Sequence, residues 1–133
     1  MKFSIKTQYG LRGMACLAQE KEMIALKNIS EKENIPFNFL EKIFSELEKN
    51  NLVESKRGVG GGYSLARPAD KIKVGQIIRA LEQNDLNVQC ISMSCPLEKD
   101  CLLKSFWHKI YNLLNESLDS MTLADLIKWK KYI

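Results

Sequence analysis

Residues Leu26 to Arg67 read LKNISEKENIPFNFLEKIFSELEKNNLVESKRGVGGGYSLAR, and the periodicity of this stretch decides the fold. Leu26, Ile29 and Glu33 mark a first helix that Asn34-Ile35 breaks. Pro36 suits the first position of a second helix, where its missing N–H would have no intrahelical partner. Leu40, Ile43, Phe44 and Leu47 then recur at i, i+3, i+4 and i+7, an amphipathic stripe, and Asn50-Asn51 supplies the stop. Leu52–Lys56 and Tyr63–Arg67 are short β-like runs around a glycine-rich turn at 58–62, which together read as a hairpin. Helix, turn, helix and hairpin in this order make up a winged helix–turn–helix.

Working outward, residues 6–20 read as a preceding helix with Leu11, Met14, Ala15 and Ala18 on one face. Cys16 lies within it as a small core residue. Val74, Ile77, Ile78 and Leu81 mark a helix over 74–83. Residues 84–101 show neither helical nor strand period yet hold three of the four cysteines, a combination that favours function over simple connection. From Leu102 to Ser120 a helix roughly 28 Å long is expected, with Leu103, Phe106, Ile110, Leu113, Ser117 and Met121 along one side. Residues 1–83 already read as a closed unit, so this side is expected to cover a second copy of the chain. Thr122 caps a last short helix through Trp129. The fold class is mainly α with a small β-hairpin wing: a winged helix–turn–helix domain over 1–83, a cysteine-containing cluster-binding loop over 84–101, and a dimerisation helix with a C-terminal helix over 102–133.

Charge separates the two halves. Residues 1–75 hold 13 Lys/Arg against 9 Asp/Glu and residues 76–133 hold 7 against 7, so the whole +4 excess sits in the first half. A basic half beside a neutral one points to a polyanion-binding module joined to something else. The first residues carry no apolar signal-peptide core, and no apolar run approaches the roughly 20 residues needed to span a bilayer. The expectation is a cytoplasmic protein with no membrane partner, in a reducing compartment where cysteines serve as metal ligands or reactive thiols.

Double-stranded DNA is the polyanion the pattern fits. Asn38, Glu41, Lys42 and Ser45 lie opposite the apolar stripe, at the start of a helix of the kind that enters a major groove. Asn can pair with adenine and Lys with guanine, Ser45 suits a phosphate, and Phe39 a thymine methyl. At the hairpin tip, Lys56 and Arg57 supply phosphate-seeking charge, while Gly58, Gly60 and Gly61 let the backbone turn sharply and approach a phosphodiester chain. The glycine run is no nucleotide loop: Tyr63-Ser64-Leu65 continues it as a strand, and no Gly-Lys-Ser/Thr ending follows. His108 is the only histidine and no nucleophile–base constellation is present, so an enzyme is not expected.

Cys90, Cys95 and Cys101 form C-x4-C-x5-C. Thiolates are soft donors for iron–sulfur clusters, zinc or copper(I). Structural zinc usually takes paired C-x2-C ligands, which this spacing lacks, and metal-free thiol redox chemistry stays open.

The stretch Glu54–Tyr63, the upstream Phe39-Leu40-Glu41-Lys42-Ile43-Phe44 and the three downstream cysteines together resemble the IscR/NsrR/CymR family of bacterial transcriptional regulators. The resemblance covers nearly the whole chain. It implies a homodimer on a roughly palindromic operator, in which the long helix crosses its partner and an iron–sulfur cluster on Cys90, Cys95 and Cys101 alters DNA binding. A [2Fe–2S] cluster is favoured, with [4Fe–4S] as the other type. The target genes implied are those of cluster assembly or of redox and nitric-oxide stress. The alternative branch is a metal-free regulator of cysteine or sulfur metabolism governed by thiol redox state or a partner enzyme. Two positions depart from the family pattern. Lys104 stands where the cluster-assembly regulators carry His, and Gln8 where the nitric-oxide sensors use a carboxylate from the partner chain. The fourth ligand is therefore open. If Cys101 and His108 shared one helix they would stand about 10.5 Å apart along its axis, too far for one cluster.

Overall fold

The computed structural model describes residues 3–82 and 101–129. Its elements in chain order are α1 (Ile5–Gln19), α2 (Leu26–Glu33), α3 (Phe37–Lys49), β1 (Val53–Lys56), β2 (Gly62–Leu65), a 3-10 turn (Ala69–Lys71), α4 (Val74–Leu81), α5 (Lys104–Ser120) and α6 (Leu123–Trp129). The mainly helical fold with a two-stranded wing is the one the periodicity implies.

Local chemistry accounts for several boundaries. The Ser4 hydroxyl accepts from the Thr7 N–H and caps α1. Asn34 adopts the left-handed conformation (φ 52°) that ends α2, and Asn51 (φ 60°) does the same after α3. Pro36 has an extended ψ of 129° and sits at the N-cap of α3, not at its first helical position as its sequence context suggests. Thr122 and Asp125 cap α6 reciprocally: the Thr122 N–H donates to Asp125 and the Asp125 N–H to the Thr122 hydroxyl.

One apolar core holds α1, α2, α3 and α4 together. Leu40, Ile43, Phe44 and Leu47 of α3 are all buried within it, with Met14 and Leu17 of α1 and Ile77 and Leu81 of α4. The chain's last described helix returns to the same core, where Leu123 is fully buried. Cys16 is buried there as well. Burial pushes its thiol pKa up, against an opposing pull from Lys32, so it stays protonated and inert.

The helix expected over 74–83 stops at Leu81 because the next residue has a tertiary partner. Glu82 accepts from the Ser4 N–H and the Thr7 hydroxyl, both at 2.7 Å, tying the end of α4 to the start of α1. Burial alone raises the Glu82 carboxyl, but the hydrogen bonds from Thr7 and Ser4, helped by the charge of Lys6, outweigh it and hold the pKa below its ordinary value. A group depressed on folding contributes stability above its unfolded pKa and loses it as pH falls through the lower folded value. Glu82→Gln is therefore expected to lower stability by roughly 1 kcal/mol at neutral pH, with the gap to wild type closing at acid pH as the lowered folded value is crossed. Urea midpoints of both proteins at the two pH values would check this.

Candidate nucleic-acid interface

The apolar side of α3 is spent on the core, which leaves Asn38, Phe39, Glu41, Lys42 and Ser45 exposed on the other side. Asn38, Glu41, Lys42 and Ser45 line one shallow depression together with Glu46 and Lys49. The sequence pattern thus brings four expected contact residues to a single face. Phe39 is different, for although 52% exposed it meets the Tyr9 ring edge-on at 6.4 Å. The Arg12 guanidinium lies 5.8 Å from the centre of the same Tyr9 ring and donates to the Glu33 carbonyl. Phe39 is buttressed by α1 on one side and open on the other.

Lys6, from the first turn of α1, pairs with Glu46 at 2.6 Å and so reaches the rim of the α3 face. Sequence reasoning did not find Lys6, Tyr9 or Arg12. All three lie on the first helix, whose apolar period says nothing of where its polar residues land on a neighbour.

The wing is an antiparallel pair with Val53 opposite Leu65 and Lys56 opposite Gly62. Lys56 and Arg57 are exposed beside its tip. Gly58 (φ 98°) and Gly60 (φ 76°) occupy backbone conformations that side-chain-bearing residues avoid. The Gly61 N–H donates to the Gly58 carbonyl at 3.0 Å, and a Cβ on Gly61 would stand 2.2 Å from the Lys56 carbonyl oxygen. The tip is thus a compact turn in which Val59, fully exposed, is the one side chain among four glycines.

A further contact escaped the sequence. Ile24 pairs with Tyr63 through two backbone hydrogen bonds of 3.0 and 2.9 Å, which adds a one-residue third strand to the hairpin. Gly62 makes room for it, since a Cβ there would lie 2.4 Å from the Ile24 carbonyl oxygen. A single bridging residue has no alternation to detect. Tyr63 in turn meets Phe44 edge-on at 5.0 Å, which links the wing to the buried side of α3. Burial pushes the Tyr63 phenol up, and Glu48 and Glu41 push it further, so it remains neutral.

Of the three clustered cysteines, Cys90 and Cys95 lie outside the described residues. Cys101 is half-buried just before α5, its carbonyl accepting from the Lys104 N–H at 3.4 Å. Among the described residues no three His, Cys, Asp or Glu side chains gather at a metal-binding distance. Gln8 is exposed on α1, its amide donating to the Phe3 carbonyl. The long helix starts at Lys104, two residues later than expected, so Cys101 precedes it. Cys101 and His108 therefore do not share one helix, and the axial separation of about 10.5 Å does not apply to the pair. His108 lies one turn into α5 and lines a shallow depression with Lys104, Lys109 and Glu116.

A helix–turn–helix whose second helix keeps a free polar face, followed by a basic glycine-tipped hairpin, defines a winged-helix DNA-binding transcriptional regulator. The Rrf2 family model, described as an iron-dependent transcriptional regulator, matches residues 3–129, and the chain belongs to this family. It is 32% identical to the transcriptional regulator IscR of Pectobacterium atrosepticum over 136 residues, covering all of this chain and 83% of that protein. Among solved structures, T. potens IscR superposes with a TM-score of 0.79 at 39% identity, over 96% of this chain and 87% of that one. CymR, the global cysteine regulator of B. subtilis, gives 0.80 at 35% identity, over 97% and 98%. These relatives are regulators and not enzymes. No helix among the described residues is long and apolar enough to cross a membrane.

Proposed function

We propose that this protein is a homodimeric repressor whose operator affinity is set by an iron–sulfur cluster held by Cys90, Cys95 and Cys101. The observation that carries the reading is the C-x4-C-x5-C run in a chain of this family, with Cys101 accessible outside the apolar core. Three soft thiolates suit such a cluster, [2Fe–2S] foremost and [4Fe–4S] next, and a bound cluster would supply a redox- and ligand-sensitive charge beside α5. In this reading Asn38, Phe39, Glu41 and Lys42 meet base edges, while Ser45 and the wing residues Lys56, Arg57, Gly58, Gly60 and Gly61 meet the phosphate backbone.

Dimerisation is supported by α5. Leu103 at its N-cap and Phe106 and Leu113 along it are each at least half exposed, apolar surface that a single chain leaves in water. The cysteine stretch is bounded by Glu82, hydrogen-bonded to the first turn of α1, and by α5 itself. Cluster occupancy can therefore bias the pose of the reading units. The size of that bias equals the difference in cluster affinity between the DNA-competent and incompetent states.

A second reading, a metal-free regulator of cysteine or sulfur metabolism, is favoured by the likeness to the B. subtilis cysteine regulator. Anaerobic purification separates the two: a coloured protein with matched iron and sulfide supports the cluster. A colourless one with titratable thiols, or one carrying stoichiometric zinc, overturns it. For the DNA arm, Arg57→Ala is expected to weaken binding to every duplex alike and to lower the slope of log K against log salt by about 0.9, as for one lost phosphate contact. Relaxed sequence preference at an unchanged salt slope would instead make Arg57 a base reader.

A further inference from the structure

The junction between α5 and the DNA-reading unit is small. Of the seventeen residues of α5 only Leu118 is buried, resting with Leu114 against Val74 and Ile78 of α4. The C-terminal end of α5 is pinned by two backbone hydrogen bonds, Val74 N–H to the Met121 carbonyl at 2.9 Å and Leu123 N–H to the Ile72 carbonyl at 2.8 Å. Such a hinge leaves the angle of the rest of the helix to be set elsewhere.

Arg79 of α4 reaches across beside this seat. Its Nη2 donates to both carboxylate oxygens of Asp119 at 2.8 Å and to Asn115 Oδ1 at 3.2 Å. Asn115 and Asp119 are four residues apart, so one face of α5 presents both acceptors. Gly75, one turn before Arg79, makes the close approach possible. A Cβ at Gly75 would stand 2.3 Å from Asp119 Oδ1 and about as close as 2.9 Å to the guanidinium. Glycine is a poor helix former, and in α4 its missing side chain leaves a notch that the ion pair fills. The ion pair is about two-fifths exposed on each side, so it contributes little to stability. Its bearing is on geometry, because Asn115 and Asp119 of α5 converge on one nitrogen of α4 above a glycine notch and so favour one angle between the two helices.

We propose that Gly75, Arg79 and Asp119 form a positioning clasp that sets the angle between the DNA-reading unit and α5, and with it the half-site spacing the dimer accepts. The inference rests on reading α5 as the dimer helix and α3 as the operator reader. Leverage makes it consequential: a turn of about 10° at the clasp moves the far end of a roughly 25 Å helix by about 4 Å, more than the 3.4 Å rise of one base pair.

The test uses the full chain and a duplex enriched from a random library by the wild-type protein, together with versions carrying one base pair more or fewer between half-sites. Gly75→Ala displaces only the mobile ends of Asp119 and Arg79, so it should fold and dimerise as wild type does, with a melting temperature equal or higher. Both it and Arg79→Gln should bind the enriched duplex about tenfold more weakly and lose most of the discrimination against altered spacing, while binding to an unrelated duplex stays the same. Unchanged spacing profiles in both variants would overturn the clasp. So would equal losses on every duplex, which would mark Arg79 as a phosphate contact. If the wild type itself fails to dimerise or enriches no duplex, the operator reading falls first and takes the clasp's role with it.

Discussion

Replacing Phe44 by alanine is expected to lower the unfolding free energy by about 3–5 kcal/mol, a large share of the 5–15 kcal/mol typical of a small domain. Phe44 is fully buried at the meeting of three elements. On one side it meets Tyr63 of the wing at 5.0 Å. On the other, α1 approaches it at Gly13, where a Cβ would stand 2.8 Å from Phe44 Cε2. An opening with rigid helix backbone on one wall and the strand on another relaxes poorly, which puts the cost at the upper end for such truncations. Asn38, Glu41, Lys42 and Ser45 ride on the opposite face of the same helix, so a loosened α3 loses its fixed approach to DNA as well. Phe44→Leu, which keeps most of the volume, should cost about 1.5 kcal/mol or less. Urea midpoints give the stability of each variant, and a loss under about 1 kcal/mol for the alanine form would show that α3 is anchored elsewhere.

The parts of this fold that could be read beforehand are those where one residue type at a fixed spacing has one physical use. The i, i+3, i+4, i+7 stripe of α3 and the glycines of the wing tip are of that kind, because period and positive φ are local properties. Leu123 and Ile24 are not. Leu123 closes a core laid down by residues more than forty positions earlier, and Ile24 completes the wing by one backbone pairing that needs Gly62 to be bare. Glu82 ended a helix through hydrogen bonds to Ser4 and Thr7, a tertiary effect that no local pattern announces. At the DNA face the identity of the exposed residues was legible while their surroundings were not. The Lys6–Glu46 pair places a charge of α1 on the rim of the α3 depression, and Tyr9 props Phe39 from behind. Both arise from the crossing of α1 over α3, which depends on glycine at position 13.

The cysteines yield the other large effect. Alanine at Cys90, Cys95 or Cys101 is expected to abolish the visible absorption of anaerobically purified protein and bring iron and sulfide to background, while Cys16→Ala leaves all three unchanged. Cys16 is 1% exposed within the core, and burial raises its thiol above the ordinary range, so it is neither a thiolate nor within reach of a metal in solution. Cys101 is partly open to solvent just before α5 and lies outside that core. In cluster-free native protein a thiol reagent should accordingly modify Cys101 readily and Cys16 only on unfolding. Colour retained in Cys101→Ala would remove that residue from the ligand set, and stoichiometric zinc in the wild type would remove the cluster. The triple alanine variant then serves as the apo reference for DNA binding. Its operator affinity divided into that of the loaded wild type measures the coupling directly, and a regulator of this kind should show a ratio on the order of 5–150 in one direction or the other. A ratio of one would mean that the cluster and the operator do not communicate, and the metal would then have a role other than control of DNA binding.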